Sequence, residues 1–139
     1  MKFCWPIRVY YEDTDAGGVV YHATYLNFFE RARTEFLRQL GFEQDQLISE
    51  SDMIFAVRSI NVDYLKPAVF NDALSVVTEV TEIKKASLMF QQGIYRVKDN
   101  RLLCQVSCKV ASIQASQMKP VAIPGNIVSA LKTANDNRA

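Results

Sequence analysis

One histidine and three cysteines in 139 residues exclude most metal chemistry before any motif is read. A closed zinc site needs four N or S ligands in clustered spacing, and Cys4, Cys104 and Cys108 do not supply them. Placed on one strand, Cys104 and Cys108 share a face but sit about 13 Å apart at about 3.3 Å per residue, too far for a disulfide. All three read as reduced, buried, small apolar residues. No run approaches 18 apolar residues, and the opening Met-Lys-Phe-Cys-Trp-Pro carries no apolar signal segment. Neither membrane spanning nor secretion is expected, and a cytoplasmic location follows.

An excess of one charge is lacking too. Lys plus Arg number 16 and Asp plus Glu 15, a formal net charge of +1, and the longest basic run is Lys84-Lys85. Nothing here recommends nucleic acid or an anionic membrane as partner. Gly17-Gly18 lacks the third glycine and the following parallel strand of a dinucleotide-binding fingerprint. What is present is a chain 49% hydrophobic and 22% charged, suited to one domain over residues 1–139 with a sizeable core.

Trp5, Ile7, Val9 and Tyr11 alternate with Cys4, Pro6, Arg8 and Tyr10, the period of a strand with one apolar face, and Pro6 suits an edge. A loop over 12–24 follows. The spacing of Tyr25, Phe28, Phe29, Ala32, Phe36 and Leu40 predicts a helix over 25–40, capped by Thr24, stopped by a left-handed Gly41 and supported by an Arg31–Glu35 pair. A second short helix is expected over 43–50. From Met53 to about Ile113 the residues read as four strands. Ile54, Ala56, Ile60, Val62 and Tyr64 line one face of the first, and Leu102, Cys104, Val106, Cys108 and Val110 one face of the last. Reversals are expected at Pro67 with Asn71-Asp72, at Lys84-Lys85 and at Asp99-Asn100. A short amphipathic helix over 126–132 and a frayed polar tail over 135–139 close the chain. Short connections make the sheet mainly antiparallel, and one long helix against one curved sheet gives a two-layer α+β domain.

The chemistry concentrates in Tyr10-Tyr11-Glu12-Asp13-Thr14-Asp15-Ala16-Gly17-Gly18-Val19-Val20-Tyr21-His22-Ala23-Thr24-Tyr25. Glycines let backbone N–H groups approach a ligand, and free amides at a helix start hold developing negative charge. A carboxylate beside them can serve as general base or nucleophile toward a carbonyl they polarise. Asp-x-Asp in such a loop is ordinarily a turn device, and Asp13 fits that role. Tyr21, Tyr25, Phe28 and Phe29 suit a core as well as a pocket, and one His with no placed Ser or Cys makes no triad. Periodicity alone leaves function open.

This run, continuing through Leu26-Asn27-Phe28-Phe29-Glu30-Arg31-Ala32-Arg33-Thr34-Glu35, resembles the 4-hydroxybenzoyl-CoA thioesterase family of hot-dog proteins. Within that family it is similar to the Tol-Pal-associated acyl-CoA thioesterases. The likeness extends more loosely over 55–67 and 118–120. It implies a five-stranded antiparallel sheet wrapped around the long helix and hydrolysis of acyl-CoA, or acyl carrier protein, thioesters without a cofactor. Aliphatic acyl groups are the substrates implied for that branch, and a homodimer or homotetramer the assembly. Carried over by position, the likeness makes Asp15 the catalytic carboxylate, as nucleophile through a mixed anhydride or as base for water. It also makes the His22 backbone N–H the carbonyl's donor and gives the His22 side chain a lesser catalytic part. Tyr11, Gly17, Gly18, Val19, Tyr21 and Tyr25 would contact substrate. Arg58, Lys66, Lys84 and Lys85 are candidates for the CoA phosphates. Two other classes compete: a non-catalytic acyl-binding or scaffold module, and a hydratase, which wants a His and a carboxylate facing one substrate.

Overall fold

The computed structural model describes residues 2–136. Strand β1 (Phe3–Arg8) leads through a single 3-10 turn (Tyr11–Asp13) and a loop into α1 (Thr24–Gln39), then α2 (Gln44–Ser51). Four long strands follow: β2 (Met53–Tyr64), β3 (Ala73–Ile83), β4 (Ser87–Arg96) and β5 (Arg101–Gln114). The two-residue β6 (Lys119–Pro120) and α3 (Gly125–Asp136) complete the described chain. Every strand pair is antiparallel, in the order β1-β3-β4-β5-β2, with β6 added beside β5. This is the hot-dog arrangement: a curled sheet around one long helix.

The helix sits there because its apolar stripe has nowhere else to go. Tyr25, Phe28, Phe29, Ala32, Phe36 and Leu37 are buried, each large side chain removing about 1.5–3 kcal/mol of unfavourable hydration. They face Ile7, Leu74, Val76, Ile94, Cys104 and Val106 at one end, and Phe3, Val80, Phe90, Cys108 and Val110 at the other. The second group also takes Ile127 and Leu131 of α3. Gly41 stops α1 at φ 101°, a left-handed position where a β-carbon is strained.

The sheet bends through bulges, and these account for most departures from the sequence pattern. The β2–β5 register shifts between Val57 and Ser59, so the extra residue Arg58 reverses side-chain parity. Met53, Phe55 and Val57 therefore share the helix-facing side with Ile60, Val62 and Tyr64, and the expected Ile54 and Ala56 point the other way. A second shift between Ile94 and Tyr95 leaves Leu103 as the extra residue of β5, buried in the core. Leu102 turns to the outer face with Gln105 and Ser107. Tyr11 does not continue β1: the strand ends at Arg8 and Tyr11 lies in the 3-10 turn, 81% exposed.

Other expectations shift by local chemistry. The N-cap of α1 is Ala23, whose side chain accepts nothing, and Thr24 is the first helical residue. Arg31 leaves Glu35 to lie over the Phe28 ring at 5.9 Å, while Glu35 pairs with Arg38. Cys104 and Cys108 are buried and free as expected, but Cys4 is exposed. Helix α3 runs to Asp136, so Asn135 and Asp136 are helical rather than part of a tail; the rest of the expected tail, 137–139, lies outside the described residues.

One polar cluster sits inside this core. Arg33 is only 7% exposed, and its Nη1 donates to Gln92 Oε1 at 3.0 Å. Gln92 Nε2 donates to the Phe29 carbonyl and to Thr78 Oγ1, both at 3.0 Å. Among the described residues no carboxylate comes within 4.0 Å of Arg33. Burial pushes its pKa down, yet a guanidinium keeps its charge in proteins, so Gln92 is its principal support. Gln92→Leu is expected to cost about 3 kcal/mol, because it strands a buried charge-assisted donor and two further groups. The same change combined with Arg33→Met should recover most of that loss; urea unfolding of the two variants checks both.

Candidate active site

Two carboxylates two residues apart have different local duties. Asp13 Oδ2 accepts the Tyr10 amide at 2.8 Å, and the Asp13 carbonyl accepts the Tyr21 amide at 3.0 Å. Asp13 thus ties the two ends of the loop together. Asp15 anchors a turn instead: its Oδ1 accepts the Gly17 amide at 2.8 Å, its carbonyl the Gly18 amide at 3.0 Å, and its own amide donates to the Val19 carbonyl at 2.9 Å. The two glycines suit the turn in different ways. Gly18 has φ 80°, where a side chain is strained, and a β-carbon on Gly17 would stand 3.2 Å from Asp15 Oδ1, a tight contact with the carboxylate. Among the described residues no hydrogen bond engages Asp15 Oδ2, and the residue is exposed.

The rising half of the loop is pinned to the β2–β3 connection. Val19 bridges Val69, and the Val20 amide donates to the Ala68 carbonyl at 2.9 Å. The Ala68 amide donates in turn to the buried Tyr25 phenol oxygen at 3.0 Å. The chain then enters α1 through His22 and Ala23. Among the described residues the amide of His22, the residue just before the N-cap Ala23, makes no hydrogen bond. The positive end of the α1 dipole lies behind it.

A surface recess of about 280 Å³ opens at His22, lined by Val20, His22, Tyr25, Tyr64, Leu65, Lys66 and Pro67. Its aromatic wall is ordered: the Tyr64 ring lies 5.6 Å from Tyr25 and 6.4 Å, edge-on, from the His22 imidazole, which itself packs on Tyr21 at 4.4 Å. Tyr64 Oη donates to the His22 carbonyl at 2.8 Å.

Of the residues expected to contact substrate, His22 and Tyr25 line this recess. Asp15, Gly17, Gly18, Val19 and Tyr21 stand on the same loop outside its walls. Tyr11 is also outside, its ring against Phe70 at 5.9 Å. Among the candidate phosphate ligands Lys66 is at the recess, whereas Lys84 pairs with Glu82 at 3.2 Å. Sequence reasoning missed Tyr64 as a site residue. Its only signal was strand period, which placed it on the apolar face with Ile60 and Val62 and gave no hint of a contact 42 residues back.

A curled antiparallel sheet around a helix whose first free amide borders a carboxylate loop defines a class, the acyl-thioester-processing hot-dog proteins. Comparison with known proteins agrees: the model of the thioesterase-like superfamily matches residues 9–131, and the chain belongs to that superfamily. It is similar to the acyl-CoA thioesterase YbgC of Haemophilus influenzae, with 49% identity over 92% of this chain and 93% of the relative. A probable thioesterase from Bartonella henselae, 34% identical, superposes with a TM-score of 0.84 over 89% of this chain and 100% of that one. A 1,4-dihydroxy-2-naphthoyl-CoA thioesterase from Synechocystis shares the fold at a TM-score of 0.90 and 22% identity, over 97% of this chain and 98% of that one.

The buried thiols take no part in the site. Burial, with a smaller contribution from the Asp63 charge, pushes the Cys104 thiol up to about 12, and burial also raises Cys108. Iodoacetamide should therefore label Cys4 in the native protein, and Cys104 and Cys108 only after unfolding. The unfolded chain loses its Cys104 proton near the ordinary value of 9.0 while the folded chain keeps it to about 12. Stability should accordingly fall as pH rises across that window, with a shallower slope in Cys104→Ala, measured by urea midpoints.

Proposed function

We propose that this chain hydrolyses acyl-CoA thioesters, with Asp15 as the reacting carboxylate and the His22 amide as the donor that holds the carbonyl oxygen. The observation that carries this reading is the unbonded His22 amide at the start of a 16-residue helix. It lies in the same loop as a carboxylate whose Oδ1 is held by a glycine amide. Attack on the thioester carbon moves negative charge onto its oxygen, where a preorganised donor is worth about 3–4 kcal/mol. Collapse of that oxyanion reforms the carbonyl and breaks the C–S bond, releasing the thiol.

Both balanced routes use the same groups. As base, Asp15 takes a proton from the water whose oxygen bonds to the acyl carbon, and that proton ends on the departing thiolate. As nucleophile, Asp15 displaces the thiolate to form a mixed anhydride, which water then hydrolyses to the free acid and the regenerated carboxylate, the proton released going to the thiolate. The recess beside His22 suits part of the acyl or pantetheine arm, with Lys66 able to face an anionic group of the carrier, CoA or acyl carrier protein. The His22 ring, with Tyr11, Gly17, Gly18, Val19 and Tyr21, stands on the loop that substrate must cross. No helix among the described residues is long and apolar enough to cross a membrane. We place the reaction in the cytoplasm, where free thiols such as these persist.

The working unit in this reading is at least two copies. Among the described residues β2 ends the sheet with no strand beyond it, and Val57, on its helix-facing side, is 52% exposed. A long edge with apolar side chains is a liability in a monomer and a ready surface for a second copy. Residues of that copy would close the slot that the single chain leaves open. Light scattering should give at least twice the mass of the 139-residue chain; an active monomer would remove this part of the reading.

Asp15→Asn should lower kcat for acyl-CoA hydrolysis by about 10³-fold or more with an unchanged circular dichroism spectrum. Asp13→Asn should retain turnover and lose about 1 kcal/mol of stability, since it weakens a loop tie. A panel of short, long and aromatic acyl-CoAs on wild type and both variants tests the assignment, and near-wild-type hydrolysis by Asp15→Asn rejects it.

A further inference from the structure

We infer that Tyr64 is a positioning residue for this reaction, its phenol holding the peptide between His22 and Ala23 so that the neighbouring His22 amide stays aimed at the thioester oxygen. The inference rests on the assignment of that amide made above and goes beyond it, to a residue on another element of the fold.

His22 stands between two peptide planes, and each is held by its carbonyl. The plane that carries the His22 N–H is fixed by the Tyr21 carbonyl, which accepts the Thr24 amide at 2.9 Å. The next plane lies just outside the helical ladder, and its carbonyl, that of His22, accepts the Tyr64 hydroxyl at 2.8 Å. Removing that bond frees the second plane and with it the backbone angles of His22. The same bond polarises the peptide it holds, strengthening the Ala23 N–H as a donor. Among the described residues that amide also makes no hydrogen bond.

Tyr64 is itself well placed to hold another group still. It is the last residue of β2, paired with Cys104 in the ladder. Its ring is edge-on to both Tyr25 and His22. Burial raises the phenol's pKa above its ordinary 10.0, so the hydroxyl keeps its proton throughout the neutral and mildly basic range. A merely structural tyrosine at this strand end would need only the ring. The hydroxyl instead reaches across 42 residues of sequence to a single main-chain oxygen beside the reacting centre.

A positioning residue costs less than the donor it aims, whose removal lowers kcat by about 10²–10³. Tyr64→Phe keeps the ring and its packing and removes only the hydrogen bond. With butyryl-CoA and octanoyl-CoA as probes, the variant should show kcat reduced about tenfold, KM within about twofold of wild type, and a melting transition that stays cooperative. The ¹H–¹⁵N resonance of Ala23 should shift in the free protein, since its peptide loses the polarising bond. An unchanged kcat, whatever the melting temperature, would overturn the inference, as would a raised KM with kcat intact, which would make Tyr64 a wall of the slot only. Asp15→Asn is assayed alongside: if it stays active, the underlying site assignment fails, whereas an inactive Asp15→Asn beside a fully active Tyr64→Phe defeats the Tyr64 inference alone.

Discussion

Burial of one aromatic-rich helix face against one sheet is the constraint on which everything else hangs. Helix α1 presents Tyr25, Phe28, Phe29, Phe36 and Leu37 along some 24 Å of length at about 1.5 Å per residue. A flat sheet would touch only part of that stripe. Three ladders carry register shifts, between Val57 and Ser59, Val80 and Glu82, and Ile94 and Tyr95, and each adds bend and twist to the strands that must wrap the helix. The short connections, the exposed edge of β2 and the loop that delivers the chain to the helix start all follow from that wrapping.

The loop then turns fold into chemistry through a division of labour between neighbouring acids. Asp13 binds main-chain amides at the base of the loop, and Asp15 shapes the tip. Gly17 leaves room for its neighbour: a β-carbon there would stand 3.2 Å from the carboxylate oxygen, a close contact that the Asp15 side chain would have to yield to by a few tenths of an ångström. The chain has a single histidine, and among the described residues no metal-ligating side chains cluster. In the function proposed above, a carboxylate, a backbone amide and a walled recess would supply attack, charge stabilisation and substrate placement.

Much of this was legible in the residues. The 3.6-residue spacing from Tyr25 to Leu40 gave the helix to within a residue at each end, Gly41 its stop, and Asn71, Lys84-Lys85 and Asn100 the reversals between strands. The family resemblance, carried by the run through Asp15 and His22, agrees with the superfamily match over residues 9–131. The strand faces that failed did so for one physical reason: alternation predicts faces only while the ladder is regular. Arg58 and Leu103 are each one residue too many, so Ile54, Ala56 and Leu102 came out on the wrong side. Tyr11 fell to a turn for which nothing in its neighbours' period gives notice. Tyr64 and Arg33 were invisible as partners because hydrogen bonds across 42 and 59 residues of sequence leave no trace in local pattern.

The buried cluster of Arg33, Gln92 and Thr78 also acts on the helix as a keyway acts on a shaft. Apolar packing tolerates small rotations of a helix about its axis, because one methyl contact replaces another at little cost. A guanidinium held by one amide oxygen, whose nitrogen is in turn bonded to the Phe29 carbonyl and to β3, does not. Nine residues before Arg33, the helix begins; a phase locked from within therefore bears, together with the local bonds at the rim, on the direction in which its first amides point. A substitution at Gln92 would then be felt in two places at once, as lost stability in the core and as misdirected dipoles at the rim.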